Sequence, residues 1–185
     1  MSGAGGRSGG ATLAGAVLAL GGLVLFVLGL QSGPAQLRPG VPDFVNADRP
    51  GINAHNSPSV AVDPSQPATV ALADRIDTPR FSCSVSVSTN GGDSWRALTL
   101  PLPVEVPNCH QPDVAYGPGG KLLVLYTATG GQYNQPIGVW LQRFAGDTAE
   151  GPPTRVASGE AFHARMAVEG SNVWVTWIQA QGAAD

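Results

Sequence analysis

Three stretches of this chain can be laid over one another, and that internal repeat limits the fold more than any other feature. They are NSPSVAVDPSQPATVALAD (Asn56–Asp74), HQPDVAYGPGGKLLVLYTA (His110–Ala128) and FHARMAVEGSNVWVTWIQA (Phe162–Ala180), the last with a one-residue gap. Val60, Val114 and Met166 correspond, as do Ala61, Ala115 and Ala167, at offsets of 54 and 52 residues. Each stretch reads as strand, turn, strand. DPSQP, GPGG and EGSN supply the turns through Pro, Gly, Asn and Ser. ATVALA, KLLVLYTA and NVWVTWIQA supply second strands rich in β-branched and aromatic side chains.

A third strand follows in the first two units, at Phe81–Thr89 and Ile137–Phe144. The first of these alternates strictly, with Phe81, Cys83, Val85 and Val87 on one face and serines on the other, which is the period of a half-buried strand. WRALTLPL then reads as a fourth strand. Four strands per unit at a period near 53 is the pattern of propeller blades, and no amphipathic helix of useful length follows residue 31. The expected fold is all-β: a partial β-propeller of about two and a half four-stranded blades over residues 52–185. Complete propellers have about 4–8 blades. The chain is therefore expected to be truncated, or to have its sheet completed by another copy, because an unfinished propeller exposes strand edges.

The first 51 residues belong to a different class. Residues 1–10 are glycine-rich and flexible in composition. Ala11–Leu30 carries no charge in 20 residues. A helix of that length is about 30 Å long and crosses a bilayer's hydrocarbon core. A cleaved signal peptide is the competing reading, but its apolar core is shorter, roughly 7–15 residues. We read 11–30 as an uncleaved, single-pass signal anchor; both readings export the body, to the extracytoplasmic face of the cell membrane or into the medium. Gln31–Gly51, with four prolines, reads as an extended linker.

Charged residues make up 12% of the chain and the formal net charge is −3, with Lys121 the single lysine. Nucleic acid is thereby excluded as a partner, since phosphate binding needs clustered Lys and Arg. Cys83 and Cys109 are the two cysteines. In an oxidising compartment they can close a loop of 26 residues; two unpaired buried thiols are the alternative. Neither has a second ligand at zinc spacing, and no metal or other cofactor is expected.

Ser88-Thr-Asn90-Gly-Gly92-Asp-Ser94-Trp95 resembles the Asp-box, S-x-D-x-G-x-[ST]-W, of sialidase-type (BNR-repeat) β-propellers, with Asn90 where that family more often has Asp. The family's box joins the third and fourth strands of a blade and faces away from the active site. The resemblance therefore implies a structural fastening: Asn90 bonding backbone amides, Gly92 at positive φ, and Trp95 covering the blade edge.

It also implies a ligand-binding mouth at one end of a central channel, built from the starts of the first strands and the loops between second and third strands. The repeat assigns His110, Gln111, Asp113, His163 and Arg165 to that mouth, with His55 and Asn56 in the first unit and Asp74, Arg75 and Asp77 in a neighbouring loop. His55, His110 and His163 are spaced by the repeat and read as residues of adjacent blades, not as a metal set. The site expected from the resemblance has Asp74, Arg75, His110, His163 and Arg165 as ligand-binding groups and Asp113 as acid/base candidate. The family's Phe/Tyr-Arg-Ile-Pro motif is absent; DRID at Asp74–Asp77 does not match it. Two function classes follow: a membrane-anchored binding or scaffolding module with a carbohydrate or protein ligand at the mouth, or an exo-glycosidase in which Arg75 and Arg165 hold a carboxylate.

Overall fold

The computed structural model describes residues 55–104, 106, 108–131 and 133–180. The expected anchor (11–30) and linker (31–51) lie outside the described residues. Among the described residues, no helix is long and apolar enough to cross a membrane. They form three antiparallel sheets that follow one another along the chain.

The first sheet contains β1 (His55–Asp63), β2 (Gln66–Ile76), β3 (Ser82–Ser88) and β4 (Arg96–Ala97), paired in that order. The second contains β5 (Asn108–Gly117), β6 (Lys121–Gly130), β7 (Gln135–Ala145) and β8 (Thr148–Ala149), with β9 (Thr154–Ser158) also paired to β7. The third is the hairpin of β10 (Ala161–Glu169) and β11 (Asn172–Gln179). The opening hairpins share one register: Val60 faces Leu72, Val114 faces Val124, and Met166 faces Val175.

That register sorts side chains between two cores. Ala71, Ala73, Val85 and Val87 of the first sheet pack against Val114, Val124, Tyr126, Trp140 and Phe144 of the second. The other face of the second sheet, with Leu123, Leu125, Val139 and Leu141, packs against Ala164, Met166, Val168 and Val175 of the third. The second sheet is thus covered on both faces. This is why β6 reads LLVLYTA without alternation, whereas β1, covered on one face, alternates. Burying side chains the size of Tyr126, Phe144 or Leu125 contributes about 1.5–3 kcal/mol each. The outward faces stay open: Val60 is 64% exposed on the first sheet and Trp174 62% on the third.

The fourth strand of the first unit is shorter than WRALTLPL predicts. After β4, Leu98 N still donates to Val85 O (2.8 Å), but Pro101 and Pro103 have no N–H to extend the ladder. Leu98, Leu100 and Leu102 instead pack on the first core as irregular chain, and Tyr126 Oη donates to Pro101 O (3.1 Å). In the second unit the edge of β7 is shared between β8 and β9.

The loop from β3 to β4 is closed by its own side chains. Ser88 Oγ donates to Asn90 Oδ1 (2.8 Å) and accepts from Gly92 N (2.8 Å). Asn90 Oδ1 accepts from Ser94 N (3.0 Å), and Asn90 Nδ2 donates to Ser94 Oγ (2.9 Å). Trp95 Nε1 donates to Gly92 O (3.0 Å), folding the indole under Gly92, whose φ of +99° suits glycine. Gly91 N donates to Ala68 O (2.8 Å), which fixes the loop to β2.

Cys83 and Cys109 form a disulfide. It joins β3 to the start of β5 and so ties the first sheet to the second.

Candidate functional site

Each first strand is broken near its start by a bulge, and the bulge falls at one position of the repeat. The pairing register slips between Asn56 and Ser59, between His110 and Asp113, and between Phe162 and Arg165. Inside these slips Ser57, Gln111 and His163 have φ of +53°, +49° and +52°. A positive φ is costly for a residue with a Cβ and recurs where surrounding structure over-determines it. Pro58 and Pro112 come next, and a bulge tolerates their missing N–H. The bulge turns Gln111 toward the third sheet. Gln111 Nε2 lies 2.9 Å from His163 Nδ1, and Gln111 Oε1 accepts from His163 N (3.1 Å).

One carboxylate laces the three first strands together. Asp113 Oδ1 accepts from Ser59 Oγ (2.7 Å) on β1, and its Oδ2 accepts from Met166 N (2.8 Å) on β10. Ser59 Oγ in turn accepts from Val114 N (3.2 Å). Asp113 is buried, with both oxygens taken by these partners. The sequence expectation made Arg165 a ligand-binding group at the same mouth. Arg165 is instead exposed, and its Nη1 donates to the neighbouring Ala164 O (3.1 Å).

The charged groups of the first sheet pair among themselves. His55 Nδ1 and Ser84 Oγ contact Asp74 Oδ1 at 2.8 Å and 2.7 Å. Arg75 Nε donates to Asp77 Oδ1 (2.5 Å), Asn56 Nδ2 bonds Asp77 Oδ2, and Arg75 Nη1 donates to His110 Nε2 (2.5 Å). A guanidinium only donates, so this Nε2 is an acceptor and the ring proton sits on Nδ1. The Arg75 bond holds Asp77 below the usual carboxylate range. His110 is pushed below its ordinary value by burial first and by the Arg75 charge second, and stays neutral near pH 7. The Phe81 ring stacks beside both, 4.9 Å from the Arg75 guanidinium carbon and 5.3 Å from the His110 ring.

Beyond His110 opens a cleft of about 290 Å³ between the second and third sheets. His110, Gln111 and His163 form one rim, Phe162 and Tyr133 stand on the sides, and Thr127 and Thr129 of β6 line it. Of the six expected ligand or catalytic residues, the cleft collects His110 and His163. Arg75 stands behind His110, Asp74 is held by His55 and Ser84, Asp113 is sequestered between strands, and Arg165 points elsewhere. The three histidines do not occupy one repeat position: with offsets of 54 and 52, His110 matches Asn56 and Phe162, while His163 matches Gln111 and Ser57. No group of His, Cys, Asp and Glu suited to a metal ion occurs among the described residues.

Thr127 and Thr129 were missed by the sequence reading. In a run as apolar as LLVLYTAT, threonine passes for a β-former. The signal available was the change from Leu123 and Leu125 to Thr127 and Thr129 on one face of the strand. No protein-family model matches the chain, and no curated protein does.

Proposed function

We propose that the three sheets are consecutive blades of a sialidase-type, Asp-box propeller. On this reading the body is an exported binding or scaffolding module, held at the cell membrane through residues 11–30 and taking its ligand at the channel mouth. The radial reading is supported by the bulge repeated at one position of β1, β5 and β10, and by Asp113, which lies between those strands as a propeller's innermost strands would require. The closed loop Ser88–Trp95 supports the family resemblance. The disulfide between Cys83 and Cys109 supports an oxidising, extracytoplasmic compartment.

One observation carries binding over hydrolysis. The ionisable groups at the mouth are engaged by structural partners: Asp113 by Ser59 and Met166, Asp74 by His55 and Ser84, Arg75 by Asp77 and His110. A general acid must reach the leaving oxygen, and retaining hydrolysis needs a second group about 5–5.5 Å from it. Asp113 has neither an open oxygen nor such a neighbour among its contacts. The exo-glycosidase reading retains one favourable feature, the exposed guanidinium of Arg165.

The test is hydrolysis of a fluorogenic sialoside by the full chain in detergent, run beside its binding to a glycan array. Array binding without turnover is the expected result. Turnover that disappears in Arg165→Ala would replace the module by the enzyme.

A further inference from the structure

The two contacts between sheets use the same pair of faces. The first sheet gives Ala71 and Ala73 to the second, and the second gives Leu123 and Leu125 to the third. These are equivalent places in the hairpins. Ala71 pairs with Ala61 and Leu123 with Ala115, while Ala73 pairs with Ser59 and Leu125 with Asp113. The receiving face carries Val114 and Tyr116 in the second sheet, and Met166 and Val168 in the third.

Each face occurs once more with nothing against it among the described residues. Trp174 pairs with Ala167 and so holds the giving position of Ala71 and Leu123. Trp174 is 62% exposed, and Ile178, on the same side of β11, is 52% exposed. On the first sheet, Val60 and Val62 hold the receiving positions of Val114 and Tyr116, and they are 64% and 52% exposed. Scattered apolar side chains on a surface are ordinary. These four instead occupy the positions that both formed contacts bury.

Size points to the occupant. The small givers Ala71 and Ala73 meet a face carrying Tyr116 and Tyr126, and the larger Leu123 and Leu125 meet one carrying Ala164. Trp174 and Ile178 are the bulkiest giving pair, and Val60 and Val62 the slimmest receiving pair. Pairing the third sheet with its own copy would set indole against indole.

We propose that the open face of the third sheet docks on the open first sheet of a second copy of this chain, and that two such junctions close a ring of two copies. This goes beyond the binding-module reading and rests on its propeller arrangement. Two copies bring six sheets, within the about 4–8 blades of closed propellers, whereas three copies would bring nine. A head-to-tail contact makes a ring only when its rotation closes, and otherwise an open filament. Rotation about the channel axis leaves the His55 ends of both copies on one side, as two anchors in one membrane require.

A charge on either open face tests the junction, and both positions are exposed enough for the single copy to tolerate it: Val60→Arg and Trp174→Arg. Protein mass is read by light scattering on the full chain in a zwitterionic detergent, with the detergent's share subtracted. The parent should weigh twice 18.9 kDa, and each variant alone should fall to one copy. An equimolar mixture of the two variants should return to two copies, because one junction then joins two unaltered faces. Independently of the arginine variants, a short bismaleimide should link Val62→Cys copies to Trp174→Cys copies in a mixture, and neither to itself. Three results overturn the proposal: a parent mass other than two copies, no crosslink in the mixture, or Val60→Arg remaining at two copies while Trp174→Arg separates. A single-copy parent that still binds the glycan array leaves the module reading standing. Turnover of the sialoside removes that reading without altering the mass.

Discussion

Asp113 shows how a side chain chosen for its chemistry can serve the backbone instead. Its carboxylate ties β5 to β1 and β10, accepting from the Ser59 hydroxyl and the Met166 amide. Asp113→Ala leaves those buried donors unpaired and should lower stability by about 2–3 kcal/mol in urea titrations. Arg165→Ala, at an exposed position, should change stability by less than about 0.5 kcal/mol. His110 and Asp77 give the pH dependence. Both have folded values below their ordinary ones, 6.5 and 3.8, so in each case the unfolded chain binds the proton more readily. Their contribution to stability is present above those ordinary values and lost as pH falls below them through the lower folded values. The His110 part should appear as a melting temperature that drops as pH falls below the ordinary value of 6.5, and it should be absent from His110→Gln.

At the scale of elements, the edge of the second sheet depends on one glycine. Gly138 has φ +146°, and a Cβ there would lie 2.4 Å from Ala157 O and 2.8 Å from Trp140. The backbone of β9 approaches β7 at this point, and the pairing register slips beside it. Gly138→Ala should therefore displace β9. We expect faster amide exchange over Thr154–Ser158 and a loss of about 2–3 kcal/mol, with β5 and β6 protected as before. The β3–β4 loop needs no such approach, because Ser88, Asn90 and Trp95 close it from within.

Across the whole molecule, the disulfide acts between sheets. Cys83 lies on β3 and Cys109 on β5, so the 26-residue separation spans the fourth strand and the passage to the second unit. On loop entropy alone, replacing both by serine should cost about 3.5 kcal/mol, measured as a shifted urea midpoint. Because the second sheet is covered on both faces, it should be the last region to exchange its amides, after the third sheet's open hairpin.

The repeat, the turn residues and the alternation in FSCSVSVS determined strands, hairpins and an all-β body, because periodicity and turn chemistry are local properties. The disulfide was open to the sequence only as a possibility, since pairing needs proximity in space. What only the tertiary structure decided was the use of the polar residues. Spacing brought His110, Asp113, His163 and Arg165 toward the starts of adjacent strands. Their partners, Arg75, Ser59, Gln111 and the Met166 amide, come from other sheets and loops. Thr127 and Thr129 became conspicuous only when packing removed their solvent without supplying a bond. A side chain's role depends on what is left unpaired after folding, and that balance is set by contacts between distant segments.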